Sequence, residues 1–454
     1  MPASKEILKR GLVPLLLALL GVALFAWLVP AETRAVEDQL LGFPDSDAAA
    51  HLMRPKILGA ICFLPALAGL AYACAGTLAR YMARQFLGIF GICFSSLMVV
   101  WVLMDLNNNL SDLRQGQDLG KNLLLFYGMR LPSILMQLLP YSLLLSLLYC
   151  LGKLSKSREI VAMIQTGRSL PRITLPLIVA GLISTLLCAG LNYHWAPVSD
   201  GSSDEFLQKV KGGAVSQASN VLYRNAPQHR LWMVGTFPKD YEKGNPLLKV
   251  EVTTTRSDGS LLSRLSAETA SWNPADRTWK FDHATIGSFA PNTAPDFEEL
   301  NEPLILKGWA ETPWQLIKPG LSAPFLGIPD LNGWLQANIG NELTVSPAPY
   351  LTQWHYRWAQ PFVCLVTVLL AAPLGIHFSR RGSTGGVAMA VVLSVSLLFF
   401  TTVALSFGEA SILTPLLAAW LPNVVFALLG LYLFQRRMAG RPIYQSLLRL
   451  FSGT

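Results

Sequence analysis

Eight stretches of this 454-residue chain contain no Asp, Glu, Lys or Arg and are long enough to cross a bilayer: 11–31, 57–79, 85–104, 131–152, 173–199, 358–379, 386–408 and 410–435. A helix needs roughly 20 apolar residues to span the hydrocarbon core, where every backbone amide must be satisfied within the helix itself. Only 14% of residues are charged, against about a quarter in soluble domains. A polytopic α-helical membrane protein is expected.

Charge placement orients the spans. Segments 1–10, 80–84, 153–172, 380–381 and 436–454 hold nearly all the basic clusters, including Lys153, Lys156, Arg158, Arg380, Arg381, Arg436 and Arg437. Only two carboxylates, Glu6 and Glu159, share those segments. Lys/Arg enrichment marks the cytoplasmic face, so both termini are expected inside and the odd-numbered connections outside. The first apolar run follows Lys9-Arg10 and is longer than a signal-peptide core, which makes it an uncleaved anchor. The net charge of +8 belongs mostly to the cytoplasmic edges and reads as headgroup contact. No basic stripe points to nucleic acid. All six cysteines fall within spans, so no disulfide staples the outward domain, and they read as small apolar packing residues.

Four blocks follow. Residues 1–78 form a two-span hairpin whose outward loop, near 32–56, is acidic, with Glu32, Glu37, Asp38, Asp45 and Asp47. Residues 79–197 hold spans three to five, and 351–454 hold spans six to eight and a cytoplasmic tail. Between them, 198–350 is polar and reads as short strands. Leu231–Phe237 is β-rich, and Leu248–Thr255 alternates before the hairpin turn Ser257-Asp258-Gly259. Leu261 to Trp272 continues as strand, Asn273-Pro274 breaks it, and Trp279-Lys-Phe281 starts the next. Turns every 8–12 residues favour an all-β sandwich or jelly roll. Pro329-Asp330, followed by Leu331, Trp334 and Leu335, reads as a capped amphipathic helix leading back to the membrane.

The cytoplasmic link at 153–167 is the most informative segment. Ser157 is a candidate N-cap, Gly167 a C-terminal stop, and Ile160, Met163 and Ile164 share one helical face. Such a face must meet lipid or a partner protein. Glu159, a carboxylate among basic residues, gains nothing from anionic lipid and fits a basic groove on a partner.

Here the chain resembles the LptF/LptG permease family. The run Leu138-Leu-Pro140-Tyr-Ser-Leu-Leu-Leu, then Gly152-Lys-Leu, Arg158-Glu159-Ile-Val-Ala-Met and Gly167 carry the likeness in the first core block. His355-Tyr-Arg357-Trp-Ala-Gln-Pro361, Ala372-Pro373-Leu374-Gly375, Arg380-Arg381-Gly382, Gly408-Glu409 and Ala418-Ala-Trp420-Leu-Pro422-Asn423 carry it in the last. In the middle domain, Ser266-Ala267-Glu268 and Trp272…Trp279 resemble the family's periplasmic jelly roll. The resemblance covers roughly 80 to 454, so 1–78 is an extra hairpin on a six-span core.

The resemblance implies a half-transporter in the bacterial inner membrane. It would pair with a second such permease or a second copy of itself, and extract lipopolysaccharide. A cytoplasmic ATPase dimer would power it, and a periplasmic jelly-roll bridge would receive the lipid between β-sheets. Arg158, Glu159, Ile160, Met163, Ile164 and Gly167 would then form the coupling helix that docks on the ATPase. In some members a basic residue stands near the outer end of the family's first span. Here that stretch is Asp105-Leu-Asn-Asn-Asn109, followed by Asp112, which implies lipid export more firmly than a strongly anionic lipid A.

Nucleotide chemistry is not written in the chain itself. No G-x-x-x-x-G-K-[ST] loop occurs, and Gly382-Ser-Thr-Gly-Gly386 lacks the lysine and reads as a tight turn. The six histidines show no metal-ligand spacing, His194 and His355 falling at membrane edges, and no G-x-S-x-G elbow appears. No enzyme, cofactor or metal site is expected. For a phosphorylated lipid, cations near an outward rim are the candidates: Arg357, then Arg130 and Lys121, with Glu409 near the same mouth. The alternative function is a non-transporting scaffold for envelope assembly. An ion-coupled transporter is disfavoured because no span interior holds an Asp, Glu, Lys or Arg to carry the ion.

Overall fold

The computed structural model describes residues 2–40, 45–114, 118–210, 216–225, 228–238, 245–273, 276–290, 294–309, 311–317, 322–338, 346–377 and 384–439. The Arg380-Arg381-Gly382 motif and the tail beyond 439 lie outside them. The chain begins with α1 (Pro2–Leu40), α2 (Asp45–His51) and α3 (Arg54–Cys74), and continues through α4 (Thr77–Leu113), α5 (Leu119–Lys156), α6 (Glu159–Gln165), α7 (Leu170–Tyr193) and α8 (Trp195–Val210). Seven strands follow: β1 (Ser216–Asn225), β2 (Arg230–Pro238), β3 (Leu247–Thr255), β4 (Leu261–Asn273), β5 (Thr278–Ser288), β6 (Asp296–Leu300) and β7 (Leu304–Lys307). The return runs through α9 (Pro313–Ile317), α10 (Ile328–Asn338), α11 (Ala348–Ala359), α12 (Val363–Gly375), α13 (Thr384–Glu409) and α14 (Pro415–Met438).

Eight helical segments of the described residues are long and apolar enough to cross a membrane. They are α1, the end of α2 with α3, α4, α5, α7, α11 with α12, α13 and α14. Burial ranks them. The apolar windows of α5 and of α11–α12 are 67% and 72% buried, so these two form the centre of the bundle, whereas those of α1 and α4 are only 6% buried. One buried cluster runs from Met82 and Phe86 through Leu147 and Leu151 to Val368 and Leu374.

The joint between α11 and α12 shows how the bundle tolerates a helix break. Pro361 has no N–H, so the carbonyl of Arg357 loses its helical partner, and the chain passes through a single 3-10 turn at Gln360–Phe362. Asn192 on α7 donates its amide to that carbonyl at 2.6 Å, and Asn423 on α14 donates to the Ala359 carbonyl at 2.7 Å. Two neighbouring helices thus supply what the proline removes, which an apolar surrounding requires.

The polar insert is a single antiparallel sheet in the order β1-β2-β3-β4-β5-β6, with β7 also pairing β5. The β3–β4 hairpin closes at Arg256–Ser260, where Gly259 has φ +84° and the Asp258 carboxylate accepts from the Ser260 amide at 2.9 Å. The sheet is strongly curled. Strands β2 and β5 are separated by two others, about 14 Å across a flat sheet, yet the rings of Trp232 and Trp279 lie 5.0 Å apart. All described strands therefore share one interior. Trp232, Trp279 and Phe281 fill it, with Trp309 packed edge-on and Leu316 and Ile317 of α9 below. Two hydrogen-bonded sheets, as a sandwich would have, are not seen among the described strands; β1 to β6 pair in sequence order along one path, and β7 pairs with β5 beside it.

Candidate functional site

At the end of the bundle carrying the α5–α7 connection, α5 stops at Lys156, with Ser157 as its C-cap. Arg158 takes a left-handed conformation (φ 61°), costly for a residue with a Cβ, and this lets α6 start at once in a new direction. Ser157 is therefore not the N-cap the sequence suggests. Its hydroxyl approaches Glu159 Oε1 at 2.8 Å instead. Gly167, φ +83°, ends the segment and its amide donates to the Ile164 carbonyl.

The apolar face of α6 does not wait for lipid or a partner along its whole length. Ile160 and Met163 are buried in the same cluster as Met82, Phe86, Leu154 and Ile173. Only Ile164 stays exposed, at the rim of a cleft of about 460 Å³ shared with Val161, Arg168, Pro171, Arg437 and Met438. A seven-residue helix is too short to stand alone, so it is held by completing the core. Glu159 is half-buried. Tyr81 near the start of α4 donates its hydroxyl to Glu159 Oε2 at 2.6 Å. The Tyr81 hydroxyl first, then that of Ser157, holds the Glu159 carboxyl below the usual carboxylate range.

At the other end of the bundle the four rim candidates do not form one cluster. Arg357 is buried, with Nε donating to the Leu326 carbonyl at 3.2 Å, Nη2 to the Pro324 carbonyl, and Nη1 to Asn192 Oδ1 at 3.4 Å. Its charge pins the chain returning from the sheet onto α11 and α7. Arg130 pairs with Asp105 on α4 at 2.8 Å, lies 3.9 Å from Asp200 on α8, and covers the faces of Trp101 and Phe126. The acidic stretch beginning at Asp105 thus supplies the counter-ion of Arg130. Lys121 is exposed, and Glu409 accepts from the Gln353 amide at 2.7 Å. Nearby, an open apolar groove of about 670 Å³ runs between α4 and α5, lined by Met98, Val102, Leu124, Tyr127 and Leu131.

A second carboxylate centre at this end was not legible as one. Asp330 is not a helix cap. It sits inside the first turn of α10, buried, with His51 of α2 at 3.7 Å and His194 at 3.6 Å. Beside it, Arg54 and Glu32 clasp α3 to α1 at 2.6 Å, the Trp195 indole reaches Glu32 at 3.4 Å, and the Tyr193 hydroxyl donates to the Ala50 carbonyl at 2.8 Å. Burial alone would raise the Asp330 carboxyl; the His194 imidazole, then the charges of His51 and Arg54, outweigh it and hold the group at about 2. The hairpin is locked lower down by shape, since a Cβ on Gly190 would fall 2.6 Å from Ile61. Among the described residues no group of three or more His, Cys, Asp or Glu is placed to hold a metal ion.

Residues 80–436 match the family described as lipopolysaccharide export system permease LptF/LptG. The two-helix hairpin with its Glu32–Arg54 clasp lies outside that match. No curated protein matches the chain.

Proposed function

The chain belongs to the LptF/LptG family of lipopolysaccharide export permeases, and from that premise we propose that it is one half of an ATP-driven exporter. Both termini and α6 face the cytoplasm, and the curled sheet, the family's jelly roll, faces the periplasm. A second permease, or a second copy, completes the lipid cavity, and a separate ATPase dimer docks at α6 and its cleft. Lipopolysaccharide leaves the inner membrane and passes to a periplasmic jelly-roll bridge. The chain itself contributes no hydrolytic chemistry.

What carries this function most directly is the construction of α6. One side, Ile160 and Met163, is fused to the span bundle, while Glu159, Ile164 and the cleft face outward. Force applied to the outer side must reach α4, α5 and α7, because packed interiors transmit displacement rather than absorb it. Arg158, in its strained conformation, and Gly167 frame the helix as its two hinges. At the outward end, Lys121 and Arg130 are the cations that can meet lipid phosphates above the α4–α5 groove. Arg357 and Glu409 hold the return segment and α11 in place.

Glu159→Arg reverses the charge that meets a basic groove on the ATPase. Expressed in cells depleted of the native protein, it is expected to leave the chain in the membrane but fail to restore lipid transfer. Full complementation by this variant contradicts the coupling role.

A further inference from the structure

We infer that Tyr81 is the positioning residue of the coupling helix: its hydroxyl fixes the Glu159 carboxylate for docking and ties α6 to the first turns of α4. The inference rests on the coupling role of Glu159 and adds to it a residue 78 positions upstream.

A glutamate at the first position of a short helix has three rotatable bonds and, when exposed, no preferred direction. Here both oxygens are engaged. Oε2 accepts from Tyr81 at 2.6 Å and Oε1 is 2.8 Å from the Ser157 hydroxyl. Both donors are neutral, so the negative charge is kept and aimed, not cancelled, and the group still attracts a cation. Arg130–Asp105 and Arg54–Glu32 differ in this respect, since each carboxylate there is matched by a cation of the same chain.

Tyr81 also ties α4 to α6. It lies on α4, whose apolar window is 6% buried, against 67% for α5. Helix α4 is thus held loosely along its length but firmly at this end, where Met82 and Phe86 share the buried cluster of Ile160 and Met163. A hydroxyl-to-carboxylate bond directly above that cluster makes α4 follow α6 when a partner displaces it. Replacing Tyr81 by Phe removes only the hydroxyl and keeps the ring.

The test uses the full-length protein in nanodiscs with its ATPase subunit. ATPase affinity and lipid released per ATP hydrolysed are measured for wild type, Tyr81→Phe, Glu159→Gln, the double variant and Glu159→Arg, with Tyr149→Phe as the control at an exposed tyrosine of α5. Tyr81→Phe is expected to weaken docking and lower lipid per ATP by about 3- to 10-fold. Added to Glu159→Gln it is expected to cost nothing more, because the charge that Tyr81 positions for docking is already gone. A purely structural tyrosine would give independent, multiplying losses. Wild-type behaviour of Tyr81→Phe while Glu159→Arg loses docking overturns the role of Tyr81 alone. Wild-type docking by Glu159→Arg overturns the coupling role, and this inference with it.

Discussion

Two carboxylates stand at opposite ends of the bundle and are treated in opposite ways. Glu159 is held by neutral hydroxyls and makes no ion pair among the described residues, Lys153 acting on it only from a distance, so its charge is oriented rather than cancelled. Asp330 is buried and set between two imidazoles of the same chain, His51 and His194, beside the Arg54–Glu32 pair. A carboxylate meant for a partner must keep charge to offer. One meant to weld segments together must be neutralised internally, since an uncompensated buried charge is severely destabilising. The joint at Asp330 unites hairpin, α7 and α10, while the joint at α6 leaves one contact open.

Asp330→Ala should have the largest effect. It strips two histidines and Arg54 of their shared anion, and breaking such a buried cluster costs ~3–5 kcal/mol. Thermal unfolding in detergent should fall accordingly, with the 45–56 connection newly accessible to a cysteine probe. Glu159→Gln in the same assay should move the midpoint by less than about 2 °C, since it keeps an acceptor for Tyr81. Equal losses from both would erase the distinction between the two joints.

The pH dependence sharpens it. The Asp330 carboxyl is held at about 2, below its ordinary ~3.9. Its contribution is therefore complete above about pH 4 and lost only as pH falls through about 2. Probe protection of the hairpin connection should be unchanged between pH 7 and 5. Opening within that interval would contradict an ionised Asp330 as the weld.

Arg357→Met comes next. Loss of three bonds, two of them to buried oxygens, should cost about 3 kcal/mol and loosen the return segment at 322–327. If Arg357 instead served mainly the lipid, stability would hold and only bound lipid would fall.

Much of this was legible in the residues. The eight charge-free runs foreshadow the eight apolar helices, Ser257-Asp258-Gly259 marks a real hairpin, and Glu159 stands out as an acid among bases. The misses share one cause, which is separation along the chain. Tyr81 goes unnoticed in the sequence because nothing nearby shows that it meets a carboxylate 78 residues away. Asp330, placed after a proline and before an apolar run, reads as a helix cap; only packing of α2 and α7 against α10 turns it into an ion centre. Ile160, Met163 and Ile164 obey helical spacing, but periodicity cannot say whether a face meets a partner or the chain's own core.

The most direct test of the exporter role is gentle purification from the native membrane, with identification of co-eluting proteins and bound lipid. An ATPase subunit, a second permease or a second copy of this chain, and lipopolysaccharide in stoichiometric amount are expected. Clean protein with neither ATPase nor lipid would contradict it and leave a scaffold in envelope assembly as the function to pursue.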